Sequence, residues 1–257
     1  MAALDWSACP DVGSIPGKAS GTLVSEAAVA RASLVLITPC SRPELLCRVY
    51  ESIRFSLVTR WIVVFDAAHV PHRTLPAELT RHPQITLAAM RVQSSKYGNA
   101  QRNLGLQIAR TMYDHFDPLV YFLDDDTIVH PRFYDLLHSC MSRRDLFYTF
   151  NQRHEWLTCY GRSCLRGMMD TGMICLPLSF CPEWAPSAAY AEDYYFIQAV
   201  MKRYPHRHVY LNHVAAYYNA LQPGVFNRLF GSQHQRHHGL ACMVVLAMIL
   251  AVLMQII

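Results

Sequence analysis

The apolar positions of this chain fall into short blocks separated by polar loops, and the period inside each block changes along the sequence. "LVLIT" at 34–38 is a continuous apolar run that stops at Pro39-Cys40-Ser41-Arg42-Pro43, the pattern of a buried strand running into a loop. From Glu44 onward, Leu45, Leu46, Val49 and Ile53 recur at helical spacing, and "WIVVFD" from Trp61 to Asp66 returns to a buried strand. A Pro- and His-rich stretch follows, after which "ITLAAM" at 85–90 predicts a third strand. Leu104, Leu106, Ile108 and Ala109 predict a helix capped by Asn99, with Arg102 in its first turn. "LVYFLDDDTIV" at 119–129 is a strand that ends in three acids, and a helix is expected to begin near Pro131. In "AEDYYFIQAV" Glu192 and Asp193 open a helix whose Tyr195, Phe196, Val200 and Met201 keep helical spacing.

Strands alternating with helices predict an α/β fold, a mostly parallel sheet with helices on both faces. Sheets of this kind take ligands beyond the carboxyl ends of their strands. Thr38, Asp66 and Asp124 all lie at such ends, so the polar residues that follow them converge on one crevice.

Length and composition bound the picture. At 257 residues and 52% apolar, the chain supports one sizeable core, expected over 33–230 as a single catalytic domain. Residues 1–32, with Asp5, Asp11 and several Gly, Pro and Ser, are expected to form a flexible tail. The net charge of +4 is spread without a dense basic patch, which argues against nucleic acid as a partner. The nine cysteines are odd in number and form no CxxC pair, so buried free thiols are expected in place of a zinc ribbon or a disulfide framework.

The far end changes the picture most. Residues 240–257 hold no charged side chain and one polar one, Gln255. As a helix they would reach about 27 Å, enough to cross hydrocarbon as a transmembrane anchor. The basic, His-rich linker at 231–239 contains His234, Arg236, His237 and His238, which suit an interfacial flank better than a metal site. The positive-inside rule then places the catalytic domain on the cytoplasmic face of the membrane.

The candidate chemistry centres on Asp124, Asp125 and Asp126. Three adjacent carboxylates at the end of a buried strand repel one another and call for a compensating cation. Hard oxygen ligands suit Mn²⁺ or Mg²⁺. If the segment stays extended, Asp124 and Asp126 project to one side and form the better metal pair. The plainer alternative is a solvated acidic turn capping the helix near Pro131. Glu192 and Asp193 pose a similar choice between favourable first-turn acids and a general base, and spacing does not choose between the two residues. Lys96 and Tyr97 are candidates for donor phosphates or simply loop residues. Trp156 and Trp184 are candidates for stacking on a sugar or for core packing.

Taken in order, "ITPCSRPE", "WIVVFDA", "QRNLGL", "VYFLDDDT", "DTGMICLP" and "AEDYYF" resemble inverting glycosyltransferases of the A-type fold. The nearest likeness is to the β-1,3-glucuronyltransferase-like family, followed by family-2-like glycosyltransferases. The resemblance covers roughly 34–213. It implies that Pro39 and Asp66 border the nucleotide base, that Arg102 meets the nucleotide or its diphosphate, and that Asp126 binds Mn²⁺. It further implies base, ribose or water-mediated metal contacts for Asp124 and Asp125, an acceptor contact for Asp170, a diphosphate contact for His213, and the catalytic base role for Asp193 over Glu192. The expected partners are a nucleoside-diphosphate sugar donor and a glycan or lipid-linked acceptor.

The chain departs from the family's pattern near Ser41, where an aromatic is usual, and at Phe65, where an acid is usual. Two other functions compete. "FLDDDTI" also reads as the nucleophile and acid of a haloacid-dehalogenase-type phosphatase, although that motif normally opens its domain. A membrane-anchored carbohydrate-binding scaffold could keep the fold without catalysis.

Overall fold

A computed structural model describes residues 33–66, 75–91, 98–140, 143–162, 165–166, 168–185, 192–222 and 224–225. The tail at 1–32, Lys96, Tyr97, the linker at 231–239 and the apolar segment at 240–257 lie outside the described residues. Among the described residues no helix is long and apolar enough to cross a membrane.

The strands are β1 (Leu34–Cys40), β2 (Arg60–Phe65), β3 (Ile85–Ala89), β4 (Leu119–Phe122), β5 (Ile128–Val129), β6 (Phe147–Arg153), β7 (Thr158–Cys159), β8 (Ile174–Pro177) and β9 (His208–Tyr217). The helices are α1 (Leu46–Glu51), α2 (Ala77–Thr80), α3 (Asn99–Met112), α4 (Pro131–Cys140) and α5 (Glu192–Arg203). The strands form one mixed sheet in the order β3-β2-β1-β4-β8-β6-β9-β5, with β7 paired to β6. β3, β2, β1 and β4 run parallel, β8 is antiparallel to both β4 and β6, and β9 returns parallel to β6.

The continuous apolar runs are explained by burial on both faces. Leu34, Val35, Leu36 and Ile37 of β1 and Ile62, Val63 and Val64 of β2 are all inaccessible to solvent. Helix α3 lies against these strands and buries Leu106 and Ala109 in the core. Gly105 sets the distance of approach, because a Cβ there would sit 2.5 Å from Ile37 Cγ2. That close packing fixes Arg102, one helical turn earlier, over the ends of the parallel strands.

Three local expectations are corrected. The first strand does not stop before Pro39 but continues to Cys40. Ile37 O accepts from Leu123 N, on the β4 side, and Cys40 O accepts from Asp66 N, on the β2 side. By that alternation the missing N–H of Pro39 faces the β4 side, beyond Phe122, where the last β1–β4 pair is formed. The N-cap of α3 is Gly98 at φ 77°, not Asn99, which is the first helical residue. The acids after β4 are not extended, since Asp125 and Asp126 form a turn closed by Thr127 N on Asp124 O at 3.2 Å. The turn aims Asp124 and Asp126 at different partners.

Candidate functional site

After β1 the chain steps outward to β2 and β3, then crosses back to place β4 on the other side of β1. The strand order therefore reverses between β1 and β4, the point beyond whose carboxyl ends sheets of this kind take their ligands. The loop after β1 brings Ser41 and Arg42 to this point, and the turn after β4 brings Asp124, Asp125 and Asp126.

Asp125 ties the two loops together. Its Oδ2 accepts from the backbone N–H groups of Ser41 and Arg42, each at 2.7 Å, and its Oδ1 accepts from Arg42 Nε at 2.9 Å and from Nη2. Arg42 Nη1 continues to Asp126 Oδ2 at 2.7 Å. Both carboxylates are about 1% exposed, and the half-buried guanidinium supplies the charge their burial requires.

Asp124 faces the other way. Its Oδ1 accepts from Arg102 Nη2 at 2.8 Å, and the Arg102 guanidinium lies 4.9 Å from the ring centroid of Trp184. Burial works against the charge on Arg102, but Asp124, Asp193 and Asp170 outweigh it and hold the cation in place. Trp184 stacks on Phe196 of α5 at 4.2 Å between centroids. Asn103, one residue beyond Arg102, exchanges two hydrogen bonds with the Trp184 backbone, Nδ2 to O at 3.0 Å and N to Oδ1 at 2.8 Å. Asn99 Nδ2 donates to Ala185 O at 3.1 Å and to Glu192 Oε2. The first turn of α3 therefore holds both the cation and the chain segment that leads to α5.

At the start of α5, burial raises the Asp193 carboxyl to about 6, helped by Asp124 and Glu192 and opposed by Arg102. Asp170 is raised well above the usual carboxylate range, first by burial and then by Asp193 and Asp124. It stays anchored through Gly172 N at 2.7 Å and Gln152 Nε2 at 3.0 Å, while Tyr121 Oη donates to Gly172 O at 2.7 Å. Tyr218, just past β9, has its hydroxyl pushed up by burial and by Asp170, Asp124 and Asp126, which puts it in the same field. It stacks on His154 at 4.5 Å.

The structure thus brings Arg102, Asp124, Asp125, Asp126, Asp170, Glu192 and Asp193 into one cluster. Pro39 is buried beside it under Gly98, whose added Cβ would lie 2.8 Å from Pro39 Cβ. Asp66 lies at the end of β2, its N–H bonded to Cys40 O at 3.0 Å. His213 is exposed on β9 and forms no hydrogen bond or ion pair with these acids among the described residues. Trp184 is a core residue at 2% exposure, whereas Trp156 is 78% exposed. Cys40, Cys159, Cys175 and Cys181 are buried free thiols, and Cys47 is a half-buried one.

Sequence reasoning missed Arg42, Gln152 and Tyr218. Arg42 was available from a charge count, because three buried acids need more compensation than Arg102 supplies. Gln152 and Tyr218 carried no such signal, as their places depend on the irregular β6–β9 register.

The donor set suits a hard divalent cation by ligand type. Six carboxylates, Asp124, Asp125, Asp126, Asp170, Glu192 and Asp193, surround two guanidinium groups, which leaves negative charge in excess. Among the described residues no three His, Cys, Asp or Glu side chains are already gathered as a metal cage. Arg42 stands on the Asp126 oxygen that such a cation would use.

No family model matches this chain, and no curated protein matches it in sequence. Among solved structures it resembles TarS of S. aureus. For TarS 1–349 in complex with UDP the TM-score is 0.52 at 14% identity, over 72% of this chain and 60% of that one. For the complex with UDP-GlcNAc the TM-score is 0.50 at 13% identity, over 72% and 58%. For the longer TarS structure it is 0.51 at 13% identity, over 77% and 38%. This chain therefore spans about 60% of the first of these proteins. The likeness bears out the fold of A-type glycosyltransferases and lends no support to the narrower β-1,3-glucuronyltransferase-like family.

Proposed function

We propose that this chain is an inverting glycosyltransferase that moves a hexosyl or glucuronosyl unit from a nucleoside-diphosphate sugar to an acceptor hydroxyl. The observation that carries the reading is the pairing, at one strand-order reversal, of a fixed guanidinium with a carboxyl raised to about 6. These are Arg102 on Asp124 and Asp193 at the head of α5. The UDP and UDP-GlcNAc complexes of TarS lend the donor class further support.

Arg102, held by Asp124 and Trp184, faces the diphosphate and offsets charge on the leaving group without reorganising. Asp193 takes the proton of the attacking hydroxyl, and a carboxyl near 6 is half-matched to neutral pH for that task. Asp170, its carboxyl raised by burial and held in place by Gly172 and Gln152, contacts the acceptor. Pro39 and Asp66 border the base, and His213, exposed on β9, is the further candidate for the diphosphate. Asp126, with Asp124, would hold Mn²⁺ or Mg²⁺ only once Arg42 and Arg102 turn away from their oxygens, and the ion when bound would neutralise the diphosphate further. An extended nucleophile–acid pair, as a phosphatase needs, is not formed by Asp124 and Asp126, which point to separate arginines. The retained acids also weigh against a non-catalytic scaffold.

The test is a thermal-shift screen of the protein against nucleotide sugars with and without Mn²⁺. A ligand that binds only the folded state stabilises it, by about 2.7 kcal/mol at a hundredfold excess over Kd. The expected result is stabilisation by one nucleotide class, strengthened by Mn²⁺ and weakened in Asp126→Ala. No shift with any donor, together with hydrolysis of a simple phosphomonoester, would overturn the reading in favour of the phosphatase.

A further inference from the structure

Eight large apolar side chains are exposed among the described residues, and six of them fall in the stretch from Trp156 to Met168 and on α5. Trp156, Leu157, Tyr160, Leu165 and Met168 belong to the β6–β7 turn and the stretch after it, and Tyr195 sits on α5. The guanidinium of Arg166 lies 5.8 Å from the Tyr195 ring centroid, which joins the two parts. The stretch ends at Asp170, so this surface borders the acceptor side of the site.

The surface is built in place. Thr149 Oγ1 donates to Gly161 O at 2.8 Å, and a Cβ on Gly161 would lie 2.2 Å from Phe150 O, so the backbone between Tyr160 and Arg162 is pressed onto β6. Its chemistry is specific as well. Residues 156–169 contain no acid, and Arg162 and Arg166 are both exposed between the apolar side chains. Trp and Tyr with Leu and Met, interspersed with arginine, match the boundary between acyl chains and anionic headgroups. The uncharged run at 240–257 gives the same chain a second segment suited to a bilayer.

We infer that the surface formed by Trp156, Leu157, Tyr160, Leu165, Met168 and Tyr195 rests on an anionic lipid bilayer, so that the acceptor hydroxyl reaches Asp193 from the headgroup layer. The inference rests on the transferase reading and names the source of its acceptor.

The test uses the full chain with vesicles of phosphatidylcholine and phosphatidylglycerol, prepared with and without bromine on the acyl chains. Trp61 and Trp184 are buried, so bromine contact reports on Trp156 among the described tryptophans. Emission is expected to fall with brominated vesicles. The component lost should disappear in Trp156→Phe and be strongly reduced in Leu165→Glu/Met168→Glu. Equal quenching in wild type and Trp156→Phe would overturn the inference. So would concentration-dependent dimerisation that protects Trp156 without vesicles, which would assign the surface to a second copy. Donor binding, measured in parallel by thermal shift, reports on Arg102 and Asp124. Its persistence alongside absent quenching would strike the lipid surface and leave the transferase standing, whereas its loss would strike the transferase.

Discussion

Replacing Asp193 by Asn separates what the base does for chemistry from what it costs the fold. In the folded chain the carboxyl is raised to about 6 from an ordinary 3.8, chiefly by burial, even though Arg102 pulls it down. A group with a raised folded value contributes stability that is complete below its unfolded value and is lost as pH rises through the folded one. The window is therefore about pH 4 to pH 6, and above it Asp193 is ionised at a cost. Two pKa units correspond to about 3 kcal/mol at most, and on the order of 2 kcal/mol once the sharing of charge with Asp124 and Asp170 is allowed for. Asn keeps the shape and stays neutral. Asp193→Asn is thus expected to raise Tm at pH 8 by about 4–8 °C for a domain of this size, with the gain shrinking as pH falls through 6. Transfer should be lost while donor binding survives. Thermal denaturation at pH 8 and pH 5, beside a transfer assay, checks both parts. A lower Tm at pH 8, or a difference independent of pH, would refute the reasoning, because the Arg102 attraction would then outweigh burial.

Arg42→Ala leaves Asp125 and Asp126 buried without their counter-charge and should cost about 2–3 kcal/mol, less than a fully buried pair because Arg42 is half exposed. Mn²⁺ should restore more of that stability than it adds to wild type, and a chemical-denaturation series with and without metal would show it. Gly105→Ala forces a Cβ to 2.5 Å from Ile37 and should cost about 1–3 kcal/mol. Because α3 carries Arg102, donor affinity should fall as well, which a donor titration at a temperature well below Tm would detect. Deleting 240–257 should release the protein from the membrane fraction, and a variant that stayed fully bound after carbonate washing would remove the anchor reading.

The parallel half of the sheet was legible because β1, β2 and β4 are buried on both faces, so their apolar runs have no polar interruption. The end of each run marked where the site would open, and Arg102 followed from the helix placed after β3. The rest depended on contacts between residues far apart in sequence. Arg42 bonds Asp125 across 83 positions and Asn99 bonds Glu192 across 93, and no local pattern announces either partner. The turn at Asp125 and Asp126 was misread as extended because propensity at three acids is indifferent, while Asp125 gains five hydrogen bonds by turning toward the β1 loop. Asn99 looked like a cap because its type favours one. Gly98 takes that place because its positive φ lets the chain enter α3 directly against Pro39.

The tie between the β1 loop and Asp125 also bears on the order in which the molecule is made. Everything that it joins lies between Leu34 and Asp126, in one uninterrupted stretch that includes Arg102. As the chain leaves the ribosome, that stretch can close its own ion pairs before α5 has been synthesised. Asp193 then arrives on a later segment, guided by Asn99 and Asn103, which present side chains already fixed on α3. The half that would hold a donor is thus a template on which the half that would supply the base is assembled.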